Sequence, residues 1–455
     1  MAIQGFSVAF EDAWDVASPT WTRLDGTSGL VASYSIQRGR QDALAKTGTG
    51  TATVRLNDTA GLFDPSNVES DYFLAGLDGR QAGLALWNPV TETWRTIFRG
   101  FIDAYQFDVD PSGVVTRIEV ELVDGLDYLA GCELSLDTAG DTPPPELELD
   151  DGDIFYENDE VDDRIKAVLD DAQWPLALRT IFSGNVEIKS VVYPPATPAL
   201  SVLSDAADAE WPGISNIYVA GNGPNAGKVT FHGRHARFDP DGVSAEAGSA
   251  WDFTRWKVGD GSIASSDPTY AQLRKLSFSR SRKLIINAAM ALPDRWLETA
   301  LTPAEIYLQT STHPDSIDTY GVRSWSAENL LTARQLGTPL SVTNDDLTET
   351  RKFAEYYVEN FHNPTTQISS LGFRSIRPDD PRGPAVWALL AGVEISDIVQ
   401  VRTVHPGGHG FADEEFFVEG ISYDVQPLNG DYADVTLSLD VSPQAHYETD
   451  PFGDS

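Results

Sequence analysis

Short runs in which apolar and polar residues alternate fill both ends of this chain. In TATVRLN, Ala52, Val54 and Leu56 share one side while Thr51, Thr53 and Arg55 share the other. In TRIEVELVDG, Ile118, Val120 and Leu122 point one way and Arg117, Glu119 and Glu121 the other. A period of two with one apolar side predicts half-buried strands of an antiparallel sheet. The last ninety or so residues repeat the pattern in DIVQVRTV, EFFVEGISYDV and DVTLSLDV, where Val435, Leu437, Leu439 and Val441 alternate with Thr436, Ser438 and Asp440.

Between these ends the period changes. DTPPPELELDDGD, residues 141–153, stacks prolines and acids and marks a boundary. Beyond it Val161, Ile165, Val168 and Leu169 fall on one helical face, with Asn158 as the predicted N-cap. Thr197 and Pro198 predict a second helix start, followed by Leu200, Leu203 and Ala207 inward, and KVTFHGR reads as a strand. Further on come a predicted strand RKLIINAAM and a capping box at Thr302 and Glu305. A helix from about Asp345 to Phe361 follows, with Leu347, Ala354, Tyr357 and Phe361 inward and Pro364 ending it. The class is mixed and β-rich, with α/β segments between two β modules.

Composition narrows the function. The chain has 455 residues and a formal net charge of −37, and the acids are spread along it. Such a surface repels nucleic acid backbones and anionic lipid, so sequence-wide nucleic acid binding is not expected. No apolar run is long enough to span a bilayer, and the acidic start lacks the pattern of a signal peptide. The single cysteine, Cys132, leaves no internal disulfide framework and no Cys-rich zinc site.

The stretch RGRQDALAKTGTGTATVRLNDTAGLFDPSN (38–67) offers three chemistries. Gly48 and Gly50 lead into a strand, whereas a phosphate loop precedes a helix and carries a Lys-Ser/Thr pair; a hairpin turn is expected. Asn57, Asp58, Asp64 and Asn67 lack calcium-loop spacing and are expected to cap their own turn. Arg38 and Arg40 are expected to flank a strand end or meet carboxylates of a partner. His232 and His235 are expected to face opposite sides of a strand end. His405, His409, Asp413, Glu414 and Glu415 gather in one glycine-containing loop, read as a bridge between strands rather than a metal site. The acid run ELELDDGDIFYENDEVDD invites a glycosidase reading, yet dense acids at a linker and helix start have a structural reason. No HExxH or GxSxG occurs, and nothing beside Cys132 would activate a thiol. No catalytic, cofactor or metal residues are therefore assigned.

YSIQRGRQDALAKTGTGTATVRLNDTAGLFDPSN, followed by LDGRQAGLALWNPVTETWRTIFRGFIDAYQF, resembles the N-terminal part of minor tail proteins of long-tailed actinobacterial phages (siphoviruses). ALSVLSDAADAEWPGISNIYV with KVTFHGRHARF, SIDTYGVRSWSAENLL, and EISDIVQVRTV with FFVEGISYDVQ extend the likeness over most of the chain. The resemblance implies a tail-tip baseplate hub, similar to the central hub of contractile-tail baseplates. It implies two tube-type antiparallel β-barrel domains with α/β insertions: an N-terminal barrel (1–140), an insertion (141–265), a mixed segment packing on the hub (266–365) and a C-terminal barrel (366–455). It further implies a non-enzymatic virion protein, assembled in the host cytoplasm as a homotrimer, with a homohexamer as the alternative. Its expected partners are distal-tail and tail-tube proteins, the tape measure protein, and other minor tail proteins or fibres. DNA would pass without specific binding, and no stable membrane insertion is expected. A receptor- or carbohydrate-binding tail protein, or a sixfold distal-tail ring, is the other reading.

Overall fold

The computed structural model describes residues 4–10, 12–24, 30–42, 44–58, 61–63, 67–69, 77–109, 116–134, 140–142, 150–157, 159–184, 186–188, 190–238, 253–279, 285–293, 308–330, 348–363, 367–404, 412–427 and 432–447. The N-terminal strands are β1 (Gln4–Val8), β2 (Thr22–Arg23), β3 (Val31–Gly39), β4 (Gly48–Asp58), β5 (Gln81–Asn88), β6 (Thr93–Val109) and β7 (Thr116–Val123). They pair in the order β2-β1-β5-β6-β7-β4-β3. Ala52, Val54 and Leu56 and their partners Ile118, Val120 and Leu122 are all buried, as the alternation predicts. The sheet curls on itself far enough for the Tyr34 hydroxyl on β3 to donate to the Ala85 carbonyl on β5 at 3.1 Å. Helix α1 (Gly125–Gly131) follows β7, and the Asp124 side chain caps it by accepting from Leu126 N.

The insertion contains β8 (Ile154–Tyr156), β9 (Asp159–Glu160), α2 (Val161–Asp171), β10 (Arg179–Ile181), β11 (Glu187–Ile188), β12 (Val191–Tyr193), α3 (Ala199–Ala209), β13 (Asn216–Val219), β14 (Val229–His232) and α4 (His235–Phe238). The predicted inward residues of α2 are all buried, but its N-cap is Glu160; Asn158 lies outside the described residues. On α3 the predicted start is one residue early. Pro198 is the N-cap, Thr197 instead donates to Pro194 O, and Leu200 is only half-buried while Val202, Leu203, Ala206 and Ala207 face the core. Trp174 at the end of α2 joins α1 and α3 in one core.

The second barrel is not continuous in sequence. Strands β15 (Arg255–Gly259), β16 (Ala271–Gln272) and β17 (Lys275–Ser279), with α5 (Gly261–Ser266) between, belong to it, so the expected boundary at 265/266 falls inside this barrel. A smaller unit follows: β18 (Ala288–Pro293), β19 (Gln309–Thr312), α6 (Pro314–Tyr320), β20 (Ser324–Leu330) and α7 (Thr348–Phe361). The predicted RKLIINAAM strand is placed later, because Ile285 and Ile286 are buried loop residues and pairing begins at Ala288. Ala354, Tyr357 and Phe361 on α7 are buried; Thr302, Glu305, Leu347 and Pro364 lie outside the described residues. The chain then returns through β21 (Gln367–Arg374), α8 (Gly383–Gly392), β22 (Ile398–Arg402), β23 (Ala412–Pro427) and β24 (Ala433–Pro443).

The second barrel closes in the order β15-β22-β23-β24-β21-β17. Closure is made at the short link between β16 and β17, where Leu273 N donates to Gly259 O and Arg274 N to Gly372 O, both at 2.8 Å. Closing a sheet removes its open edges. Long strand β23 is the seam of the molecule: along one edge it pairs first with β22 and then, from Gly420 to Val425, with β3 of the first barrel. Both barrels therefore lie in one 14-stranded sheet and share one apolar core. Helix α8 sits between them, touching β5 and β6 of the first barrel and β16 and β21 of the second. It is apolar on every side; Val386, Trp387, Leu389, Leu390 and Ala391 are buried, and only the small residues Pro384 and Ala388, on one face, are exposed.

Candidate functional site at the barrel junction

Arg38, Gly39 and Arg40 end β3 where it meets β23. Gly39 has a φ of +84°, and a Cβ there would lie 2.2 Å from the Glu419 carbonyl oxygen, so only glycine fits. The resulting bulge lets both flanking guanidiniums enter the interior. Arg40 Nε donates to Glu419 Oε2 at 2.7 Å, Arg237 Nη2 donates to the same oxygen at 3.0 Å, and Ser442 Oγ donates to Oε1 at 2.5 Å. Glu419 is fully buried; burial disfavours its charge, but the two arginines outweigh that and hold its pKa below the usual carboxylate value.

Arg38 reaches a second carboxylate. Its Nη1 donates to Glu394 Oε1 at 2.7 Å and to Val219 O at 3.3 Å. Glu394 accepts in addition from Ile395 N, Gly221 N and Asn222 N, each at 2.8 Å. Asp397, three residues on, accepts from Glu394 N at 2.9 Å and from Trp256 Nε1 at 2.8 Å, and burial pushes its pKa up to about 7. Three ion pairs on two carboxylates thus fasten three parts of the chain: β3 from the first barrel, the 219–222 turn and α4 of the insertion, and the 394–419 region of the second barrel. The expected encounter of Arg38 and Arg40 with carboxylates is found, and the carboxylates are the chain's own.

The other sequence candidates are dispersed. Gly48 and Gly50 open β4, and Gly50 N donates to Asp124 Oδ2 at 2.8 Å. Asp58 accepts from Phe63 N at 2.9 Å and Asn67 donates to Gly61 O at 2.8 Å, so these side chains cap their own turn; Asn57 sits opposite Arg117 on the polar side of the sheet, and Asp64 is outside the described residues. His232 is enclosed by the rings of Phe182, Tyr218 and Phe253, at 4.6, 5.4 and 5.2 Å, while His235 opens α4. The 405–415 segment is not wholly loop: Asp413, Glu414 and Glu415 belong to β23. Asp413 pairs with Arg402 at 3.2 Å and Glu415 approaches Arg255 at 3.8 Å; His405 and His409 lie outside the described residues. Burial raises the Cys132 thiol pKa, which makes it less reactive. Glu419 and Glu394 were not singled out in sequence, although a signal existed: in FFVEGISYDV a carboxylate falls on the same alternation as Phe417, Ile421 and Tyr423.

The junction also makes a continuous polar wall. Cross-strand partners place Ser33, Ser35 and Gln37 of β3 beside Thr51, Thr53 and Arg55 of β4 and beside Ser422 and Asp424 of β23. Following partners outward, the wall runs over eight strands, β6-β7-β4-β3-β23-β24-β21-β17. Asp108, Glu119, Glu121, Asp424, Asp434 and Asp440 contribute carboxylates, against Arg55, Arg117, Lys275 and Arg374. Arg55 pairs with Glu119 at 2.9 Å and Arg374 with Asp434 at 2.6 Å. The excess of acid on this wall is slight, and serine, threonine and glutamine supply much of its polarity.

No family model matches this sequence, and no curated protein does. Solved structures do match in fold. A tail protein from Neisseria meningitidis MC58 aligns over 98% of both chains with a TM-score of 0.54 at 12% identity. The 43 kDa tail protein of prophage MuSo2 from Shewanella oneidensis aligns over 98% of this chain and 99% of its own, with a TM-score of 0.52 at 9% identity. The chain thus has the β-rich fold of phage-type tail proteins from end to end.

Proposed function

We propose that this chain is a structural tail-tip hub protein, three copies of which close into a ring that continues the tail tube and anchors neighbouring tail proteins. The observation that carries this reading is the eight-strand polar wall running unbroken through two barrels. Three copies would set six barrels around an axis, matching a sixfold tube, and their walls would join into 24 strands. At a spacing of about 4.8 Å and a tilt of about 40°, 24 strands span a perimeter of ~150 Å and a backbone diameter of ~48 Å, wide enough for duplex DNA after side chains are added. A hydrophilic wall with little net charge gives DNA no strong site at which to stick. The fold shared with tail proteins over nearly the whole chain supports the same reading.

No chemistry is assigned to the ion pairs of the junction; their role is to lock the two barrels at one angle, which fixes ring curvature. The distal-tail or tube proteins above, the tape measure within and fibres below are the partners this position gives. A single-particle map of the virion tail tip tests the proposal. Three copies around the axis are expected; six copies would assign the chain to a distal-tail ring, and density confined to peripheral fibres would replace the hub with receptor binding.

A further inference from the structure

The outward face of the first barrel carries a trough of about 580 Å³ over β1, β5 and β6. Its floor is made by the cross-strand pairs Gly5/Ala85 and Ser7/Gly83, which have almost no side chain. Trp21 and Trp94 form the walls, and an arginine lies on each: Arg23 at 4.2 Å over Trp94 and Arg99 at 5.5 Å over Trp21. No carboxylate lines the trough among the described residues. Arg99 is half-buried, and among the described residues it donates only to neutral acceptors: Ala17 O at 2.9 Å, Val16 O at 3.1 Å and Gln81 Oε1 at 2.7 Å. With no counter-charge beside it among the described residues, burial lowers its pKa to about 10.

A cationic trough stands out on a chain of net charge −37. Copies of so acidic a chain repel one another, and close association needs patches of opposite sign. We infer that this trough receives a carboxylate-bearing extended segment of a second copy of the chain, with Arg99 and Arg23 as its anchors. A floor of glycine, alanine and serine lets another backbone approach closely. The indole of Trp94 is covered on the floor side, 3.0 Å from where a Gly5 Cβ would lie, and by Arg23 above, so it leaves no free face for a sugar ring. This inference rests on the ring reading, since it supplies one of the contacts between copies.

Sedimentation of the full-length chain tests it with two variants. Arg23→Gln removes an exposed charge, and Gly83→Leu fills the trough where an added Cβ meets nothing closer than 3.8 Å. Each is expected to weaken self-association at least about tenfold with the melting temperature unchanged, and about 1 M salt is expected to weaken the wild type similarly. Variants that associate like the wild type would overturn the trough assignment while leaving the ring to the tail-tip map. A wild-type chain monomeric up to about 1 mM, an affinity of only ~4 kcal/mol, would overturn it too. Quenching of tryptophan fluorescence by a glucuronic acid oligosaccharide, lost in Gly83→Leu without change in association, would reassign the trough to saccharide.

Discussion

Replacing Glu419 by glutamine keeps the size of the side chain and removes the charge that Arg40 and Arg237 share. Both guanidiniums then remain buried, at 4% and 2% exposure, without their counter-ion. Removing one partner of a buried pair costs about 3–5 kcal/mol, because the stranded charge cannot regain water. Unfolding entropy of about 2.1 cal/mol/K per residue over 455 residues gives ~0.96 kcal/mol/K, so the melting temperature should fall by about 3–5 °C if the chain unfolds as one unit. Arg40→Met should cost less, since Arg237 and Ser442 still satisfy Glu419. Scanning calorimetry and urea titration of the three proteins measure both quantities. A Glu419→Gln variant within about 1 kcal/mol of wild type, or less affected than Arg40→Met, would refute the view that this carboxylate locks the barrels together.

Three further outcomes are expected. Gly39→Ala should destabilise by more than about 2 kcal/mol in the same titration, because it adds left-handed strain to a clash with the Glu419 carbonyl. His232, whose pKa burial lowers to about 3, gives stability that is complete above its unfolded value of 6.5 and is lost as the pH falls from there toward 3. At pH 5 that loss is about 2 kcal/mol, and His232→Phe should flatten this part of the pH dependence measured by thermal melts at pH 5 and 8. Changing Glu119, Glu121 and Asp424 of the polar wall to lysine should slow DNA release and lower infectivity; phage titres unchanged by all three would remove the wall from the lumen.

What the sequence revealed tracks how local each feature is. Ala52, Val54 and Leu56, or Val435, Leu437 and Leu439, declare their strand by a period of two that needs no partner to be recognised. Helix α8 was hidden inside a stretch read as β because GPAVWALLAG is apolar throughout, and a helix wedged between two barrels shows no 3.6-residue period. Strands β15 to β17 were assigned elsewhere because the second barrel is split by the unit from 285 to 361, and short strands reveal membership only through pairing. Of the junction, sequence exposed the arginines and their need for carboxylates. The alternation in β23 marks Glu419 as inward, but its meeting with Arg40 depends on the register of β3 on β23, and Glu394, in the turn between α8 and β22, reaches Arg38 from 356 positions away with no local pattern to announce it.

That register also sets a clock. Gly39 pairs with Gly420, 381 positions later, so β3 offers an unpaired edge from the time it leaves the ribosome until β23 arrives. At about 5–20 residues per second the wait is ~20–75 s. During it the first barrel is a template for any other strand, including β3 of a neighbouring nascent chain, and a chain cut short before residue 420 never covers it. The first barrel therefore becomes safe from mispairing only once β23 has been made, which ties correct folding of β3 to synthesis of a strand 381 positions later.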